Sequence, residues 1–229
     1  MTASKTPVAV LISGRGSNFE ALHRATREQR LPAEIVLVLS NVPSAAGIER
    51  ARSLGLPTAV VPSRGAGSRA AHEALVSERI ERAGAEWICL AGYMRLLSAE
   101  FVAAFENRIL NIHPSLLPSF PGLDVQQAAL DHGVRVSGCT VHFVDAGLDS
   151  GPIVGQRSVP VRSGDDAASL AARILREEHQ LYAEALRRLL VEEWRIEGRR
   201  VLFGPAHTES REAQPGQVPG DLTEPRTPH

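Results

Sequence analysis

The sequence is short of net charge, of cysteine and of long apolar runs. Its 25 basic and 26 acidic residues leave a formal charge of -1, so no overall field draws a nucleic-acid backbone and small molecules are the expected partners. No apolar run approaches the roughly 20 residues that a spanning helix needs, and Met1 to Pro7 lacks the apolar core of a signal peptide. A membrane is therefore not expected. The two cysteines, Cys89 and Cys139, stand in strand-like apolar runs without metal-ligand spacing and read as reduced core residues of a cytoplasmic protein. Cys139 has no glycine-rich or basic setting to activate a thiol. No H-x-x-x-H or H-E-x-x-H pair offers a metal site, so no metal is expected, and no internal repeat is present.

What is there is an alternation of apolar runs and helical patterns. With 229 residues and 43% hydrophobic content, the chain can bury a full core, and its length suits one large domain or one domain with a tail. Val8 to Ile12 is an apolar run, the turn Ser13-Gly14-Arg15-Gly16-Ser17 follows, and Asn18 to about Gln29 carries Phe19, Leu22 and either His23 or Thr26 on one face at helical spacing. Apolar runs at Ile35 to Leu39, Thr58 to Val61, Trp87 to Ala91 and Ile109 to Ile112 alternate with helical patterns from Ala45, Ser68 and Ser98. Strands without a polar side need cover on both faces, which predicts an α/β fold with a doubly wound, mostly parallel sheet. After a short helix near Val125 to His132, Ser137 to Val144 and Pro152 to Val161 are joined by a turn-rich loop and predict an antiparallel C-terminal portion. Asp165 to Leu190 reads as a long amphipathic helix. Gly204 to His229 turns to Pro, Gly, Thr, Gln and charge, so residues 1–203 are expected to form the domain and 204–229 a disordered tail.

Sites in open α/β sheets lie beyond the carboxyl ends of strands, and two such ends carry chemistry here. Gly14-Arg15-Gly16-Ser17-Asn18 offers backbone N–H groups at a helix start, approached closely because glycine has no side chain. A phosphate suits it. The plainer alternative is a capping box, since Ser17 and Glu20 have the S-x-x-E spacing that satisfies the same donors. Phe19 stands where a dinucleotide turn needs a third glycine, Ser40-Asn41 replace its acid, and no lysine completes a P-loop, so a phosphomonoester fits better than NAD or ATP.

At the second end, period two places Asn111 and His113 on one side of a strand that Pro114, Pro118 and Pro121 prevent from continuing. Asn111 supplies an N–H donor that never titrates and His113 an acid near neutral pH, which suits a carbonyl that becomes a tetrahedral oxyanion. Asp145 and Asp149, in the loop after the sixth strand, are the candidates to orient the imidazole. Ser115 and Ser119 lie nearby without a nucleophile elbow, so the nucleophile is expected to come from the substrate. His142 reads as structural or as a partner of this group, and His23, His72, His132 and His179 as solvated helix residues.

Four ordered segments carry a resemblance: Gly14 to Asn18; Leu90-Ala91-Gly92-Tyr93-Met94-Arg95-Leu96-Leu97; Asn111-Ile112-His113-Pro114-Ser115-Leu116-Leu117-Pro118; and Val141-His142-Phe143-Val144 with Leu148-Asp149-Ser150-Gly151-Pro152. From about Val8 to Leu190 the chain resembles the phosphoribosylglycinamide formyltransferases, the folate-dependent enzymes of purine synthesis. The resemblance implies their Rossmann-like fold. It also implies transfer of the formyl group of 10-formyltetrahydrofolate, the co-substrate, to the amine of glycinamide ribonucleotide. It assigns catalysis to Asn111, His113 and Asp149, the phosphate turn to Gly16, Ser17 and Asn18, and the glycinamide contact to Glu178. It assigns the folate site to Arg69, Met94, Arg95, Leu96, Leu97, Asn111, Asp145, Ala146, Gly147, Leu148 and Asp149. Without it, Met94, Leu96 and Leu97 read as core and Arg69 as an exposed helix cation; Leu175, also at a substrate-loop position, is apolar enough to be core. The implied protein is a monomer or homodimer. Three other readings use overlapping features. Formyltetrahydrofolate deformylase shares the triad, but is expected to carry an N-terminal regulatory domain ahead of a first strand that here begins at Val8. Methionyl-tRNA formyltransferase is expected to show a C-terminal tRNA-binding domain and a basic excess. A catalytically silent module for a phosphate-bearing metabolite would not need Asn111, His113 and Asp149 together.

Overall fold

A computed structural model describes residues 5–205; the expected tail beyond Pro205 lies outside the described residues. The chain runs β1 (Thr6–Ile12), α1 (Ser17–Arg27), β2 (Ala33–Ser40), α2 (Ala46–Ser53), β3 (Thr58–Val60), α3 (Arg69–Arg82), β4 (Trp87–Leu90), α4 (Ala99–Ala104), β5 (Ile109–His113), α5 (Val125–Asp131), β6 (Val136–Phe143), β7 (Ile153–Pro160), α6 (Ala167–Val191), β8 (Trp194–Glu197) and β9 (Arg200–Phe203). The strands form one sheet in the order β3-β2-β1-β4-β5-β6-β7-β9-β8. β1 to β5 pair in parallel, whereas β5-β6 and β6-β7 are antiparallel. Among the described residues, no helix is long and apolar enough to cross a membrane.

Side chains alternate across a strand, so a strand buried on both sides must be apolar throughout. In β1, Val8, Val10 and Ile12 enter a core under α1, α2 and α6, while Ala9 and Leu11 enter a second one under α3 and α4. Sheet order reverses between β1 and β4, which opens the crevice where ligands of doubly wound sheets bind. The turn after β1 and the segment after β4 line it.

α6 crosses the first core, and its buried Tyr182 places the hydroxyl 3.0 Å from both Leu90 O, at the last residue of β4, and Leu110 O, near the start of β5. This anchors the helix that carries Glu178 one turn earlier. Both cysteines are buried and free, and burial pushes each thiol up to about 12. Neither is a nucleophile at neutral pH.

Two features differ from the sequence reading. His72 is buried, with Nε2 donating to Val61 O at 3.0 Å, instead of lying in solvent. The hairpin β8-β9 was not anticipated; it continues the sheet, and Trp194 packs on Trp87 and Phe143 at centroid distances of 6.2 and 5.3 Å.

Candidate functional site

The turn after β1 does not form a capping box. α1 begins at Ser17 with Gly16 as N-cap in the left-handed region at φ 80, and no side chain caps it. Glu20, the would-be box partner, pairs instead with Arg50 at 3.0 Å. The first N–H groups of α1 therefore face out without a side-chain acceptor, the arrangement that receives an anion. Gly47 of α2 fixes the turn: its N donates to Gly14 O at 3.0 Å, and a Cβ on it would lie 2.5 Å from Ile12 Cδ1. The Gly14 and Arg15 carbonyl oxygens would lie 3.1 Å from the same Cβ, so any larger residue must displace Ile12 and crowd the turn, a constraint that sequence reading missed.

The surroundings of the turn mix arginines with one carboxylate, Glu20, which pairs with Arg50. A cavity of about 370 Å³ opens beside Ser17, lined also by His23, Arg24, Arg50 and His179. Burial holds the His23 imidazole below its usual range, followed by Arg27 and Arg50; burial and then Arg24 do the same at His179. Burial thus favours the neutral form of both rings, with the arginines adding to it and Glu20 opposing. Arg15 is exposed.

Asn18 is buried, and its Nδ2 donates to Glu178 Oε2 at 2.7 Å. Its Oδ1 is buried without a partner among the described residues. Burial raises the Glu178 carboxyl above the ordinary range, against the opposing Asn18 bond. A raised folded value means a contribution fully present below the unfolded value of 4.5 and lost as pH rises through the folded one. We expect Glu178→Gln, which removes the buried charge, to raise the unfolding midpoint more at about pH 8 than at about pH 5. A difference that does not grow with pH, measured by thermal scans, would contradict this.

The second half of the site is built on β5 and β6. Asn111 lies directly opposite His142 in the antiparallel register, so their side chains share a face. Asn111 Nδ2 is 3.1 Å from His142 Nε2, and His142 Nδ1 is 2.8 Å from Phe143 O. The carbonyl can only accept, so Nδ1 carries the proton and Nε2 accepts from the amide. Burial, opposed by the Phe143 bond and Asp149, lowers the His142 value and keeps that neutral tautomer. His142 is therefore a partner that fixes which way the Asn111 amide faces, leaving its second N–H free.

His113 is buried, with Nε2 at 2.9 Å from Phe120 O and Nδ1 at 3.5 Å from Asp149 Oδ2. Both ring nitrogens face acceptors, an environment that a protonated ring with two N–H donors fills. The Asp145–Gly151 loop brings Asp149 between the two rings, its Oδ1 at 3.7 Å from His142 Nε2 and its Oδ2 accepting from Gly122 N at 2.8 Å. Asp149 sits at φ 50, in the left-handed region that Asp tolerates better than most residues. Asp145 is spent within the loop, accepting from Gly147 N at 3.1 Å and Ser150 Oγ at 2.7 Å. Geometry thus separates two carboxylates that spacing left open. Ser115 donates to Ser119 O and Phe120 O at 2.6 and 3.0 Å, which makes it a brace for the carbonyl that holds His113.

The remaining candidates lie around these two halves. Met94 and Leu96 are 64% and 62% exposed and Leu148 is 52% exposed, which is not how core residues of these types sit. Leu97 packs against the second core, Arg95 is half-buried, and Ala146 and Gly147 are exposed with Leu148 on the loop. Arg69 is the first residue of α3 and is exposed. Leu175 is half-buried on α6. β4 lies between β1 and β5, so the turn at Gly16 and the end of β5 are roughly 10 Å apart at the usual strand spacing. Among the described residues, no cluster of His, Cys, Asp and Glu could hold a metal ion.

Known proteins share this arrangement of sequence and fold. The formyl transferase family profile matches residues 6–186. The chain is 39% identical over 182 residues to phosphoribosylglycinamide formyltransferase of Bacillus subtilis, covering 80% of this chain and 93% of that one. It is 48% identical over 185 residues to the trifunctional purine biosynthetic protein adenosine-3 of Drosophila melanogaster, covering 80% of this chain but only 14% of that longer protein. The crystal structure of glycinamide ribonucleotide transformylase 1 from Symbiobacterium toebii superposes with a TM-score of 0.85 at 48% identity, over 88% of this chain and 95% of that one. A formyltetrahydrofolate deformylase from Pseudomonas syringae shares the fold at a TM-score of 0.82 but only 26% identity, over 88% of this chain and 67% of that one.

Proposed function

Since this chain belongs to the formyl transferase family, we propose that it transfers the formyl group of 10-formyltetrahydrofolate to the amine of 5'-phosphoribosylglycinamide. The products are formylglycinamide ribonucleotide and tetrahydrofolate, a step of purine biosynthesis. The observation that carries the reading is a site with an acid and an oxyanion donor but, among the described residues, no activated protein nucleophile: Asn111, His113 and Asp149 converge, while Ser115 is hydrogen-bonded to backbone carbonyls and both cysteines are buried in the core.

Each substrate has residues that fit it. The uncapped start of α1 at Gly16, Ser17 and Asn18 receives the ribonucleotide phosphate through backbone N–H groups. The orphaned Asn18 Oδ1 accepts from a donor of the substrate, and Glu178 holds the glycinamide end. Exposed Met94, Leu96 and Leu148 offer an apolar surface for the pterin, with backbone groups of Arg95, Leu97 and the Asp145–Asp149 loop for its polar edge. Arg69, exposed at the start of α3, pairs with a carboxylate of the folate tail in this reading.

The substrate amine attacks the formyl carbon, and the formyl oxygen gains the negative charge. Asn111 Nδ2 donates its free N–H to that oxygen, and protonated His113 stabilises it from the other side. Because Phe120 O holds Nε2, Nδ1 is the nitrogen that carries the transferable proton. His113 gives this proton to the departing folate nitrogen, and the proton of the attacking amine returns to the His113–Asp149 pair, so none is consumed. Asp149, 3.5 Å from Nδ1, receives the ring's N–H and complements its charge between these events.

Release of tetrahydrofolate, followed by absorbance with and without glycinamide ribonucleotide, tests the reading. Turnover is expected only with the ribonucleotide. Turnover that ignores it would assign water as the nucleophile and make the chain a deformylase.

A further inference from the structure

The segment that leaves β4 is held at both ends by side chains that the chemistry above does not use. Gly92, at φ 78, turns the chain out of the strand, and its O accepts from Ser13 N at 2.9 Å. Met94 N then donates to Ser13 Oγ at 2.8 Å, while the same hydroxyl donates to Asn41 Oδ1 at 2.6 Å. Asn41 is buried at the end of β2, so one hydroxyl joins the carboxyl ends of β1, β2 and β4. At the far end, Ser98 N donates at 2.9 Å to Oε1 of Glu73, a buried carboxylate on α3. α3 is itself tied to the end of β3 by the His72 bond to Val61 O.

Between these two pins the side chains divide. Tyr93 is buried, whereas Met94 and Leu96 stand out into solvent. Exposed apolar side chains on a free backbone would fold back onto the nearest apolar surface, since water disfavours them. Here the backbone cannot follow, because doing so would orphan Met94 N, Ser98 N and their acceptors.

We propose that Ser13 and Glu73 are positioning residues for formyl-folate: they hold Met94 to Leu97 as a wall already in its binding conformation, so that the ligand need not order it. An ordering cost avoided appears directly as affinity. The inference rests on the assignment of that segment to the pterin under the transferase reading. Neither residue is asked to touch substrate. Ser13 precedes Gly14 directly, so the same hydroxyl also sets the folate wall relative to the phosphate turn.

The test uses the full chain with Ser13→Ala and Glu73→Leu, which remove the acceptors, and Ser13→Thr and Glu73→Gln, which keep them. Calorimetry gives the Kd of tetrahydrofolate, and initial rates give KM for each substrate. Removal variants are expected to weaken tetrahydrofolate binding about tenfold or more and raise the formyl-folate KM in step, as loss of a buried bond does. The ribonucleotide KM should stay within about twofold and kcat within about threefold, and the conservative variants should recover binding to within about threefold of wild type. An unchanged tetrahydrofolate Kd in both removal variants overturns the inference. So does an equal loss for both substrates without rescue, the mark of general loosening. If one removal variant fails to fold, the other decides. Wild-type protein that binds tetrahydrofolate but shows no ribonucleotide-dependent turnover would sink the transferase reading and leave the Kd comparison standing.

Discussion

Replacing His113 with alanine should lower kcat by about two to four orders of magnitude, the range expected when a general acid is removed. The loss should fall on turnover, because His113 touches neither the start of α1 nor the Asn18–Glu178 pair. Binding of the ribonucleotide, followed by calorimetry, should change by no more than about twofold, since interactions made only in the transition state leave ground-state binding intact. A variant with near-normal kcat would remove His113 from the chemistry. Asp149→Asn gives a companion measurement without added strain, because Asn also tolerates the left-handed backbone at φ 50. It keeps the shape and removes the charge that faces His113 Nδ1, so kcat should fall by about tenfold or more while ribonucleotide binding stays within about twofold.

Gly151→Ala should be nearly as damaging, although the residue touches no substrate. A Cβ there would lie 1.9 Å from Phe143 O and 2.8 Å from Phe143 C, both backbone atoms of a central strand that cannot yield. The Asp145–Gly151 loop must move instead, and Asp149 moves with it. Displacing a catalytic group by about 1 Å costs about a hundredfold in rate, and that is the expected loss in kcat. Gly164→Ala, where nothing lies within 4 Å of the added Cβ, is the control and should match wild type. A Gly151→Ala enzyme that also matched wild type would show that Asp149 need not stand where it does.

The two ends of this chain's architecture were unequally legible in sequence. β1 to β5 could be read because a strand buried on both sides leaves a continuous apolar run, as Val8 to Ile12 shows, and its covering helices leave a different period. β8 and β9 carry only four residues each: in β8, Arg195 and Glu197 alternate with Trp194 and Ile196, so charge concealed a period-two signal, and β9 is a three-residue apolar run after Arg200, too short to stand out beyond the Gly198 turn. In the site, spacing placed Asn111 and His113 on one face but could not choose between Asp145 and Asp149. That choice depends on how a loop folds over the sheet, a tertiary fact. The Ser17–Glu20 box failed for a similar reason: Arg50, thirty residues on in the chain, takes the carboxylate. His72 was misread because a buried carbonyl partner, Val61 O, cannot be seen from helical periodicity. Met94 and Leu96 look like core by composition and are exposed because the backbone on either side is held.

The cross-strand pairing of Asn111 with His142, and of His113 with Thr140, has a consequence for how such a chain can vary. Gain or loss of one residue between Ile109 and Asn111 would turn every later side chain of β5 to the opposite face. The amide and the imidazole would then point into the other core, with no partner there. Substitutions in this stretch have graded effects, but a change in its length is all-or-none. Among descendants of this sequence, insertions and deletions should therefore accumulate in the surface turns and be absent from these few positions, even in lineages where individual residues of β5 have drifted.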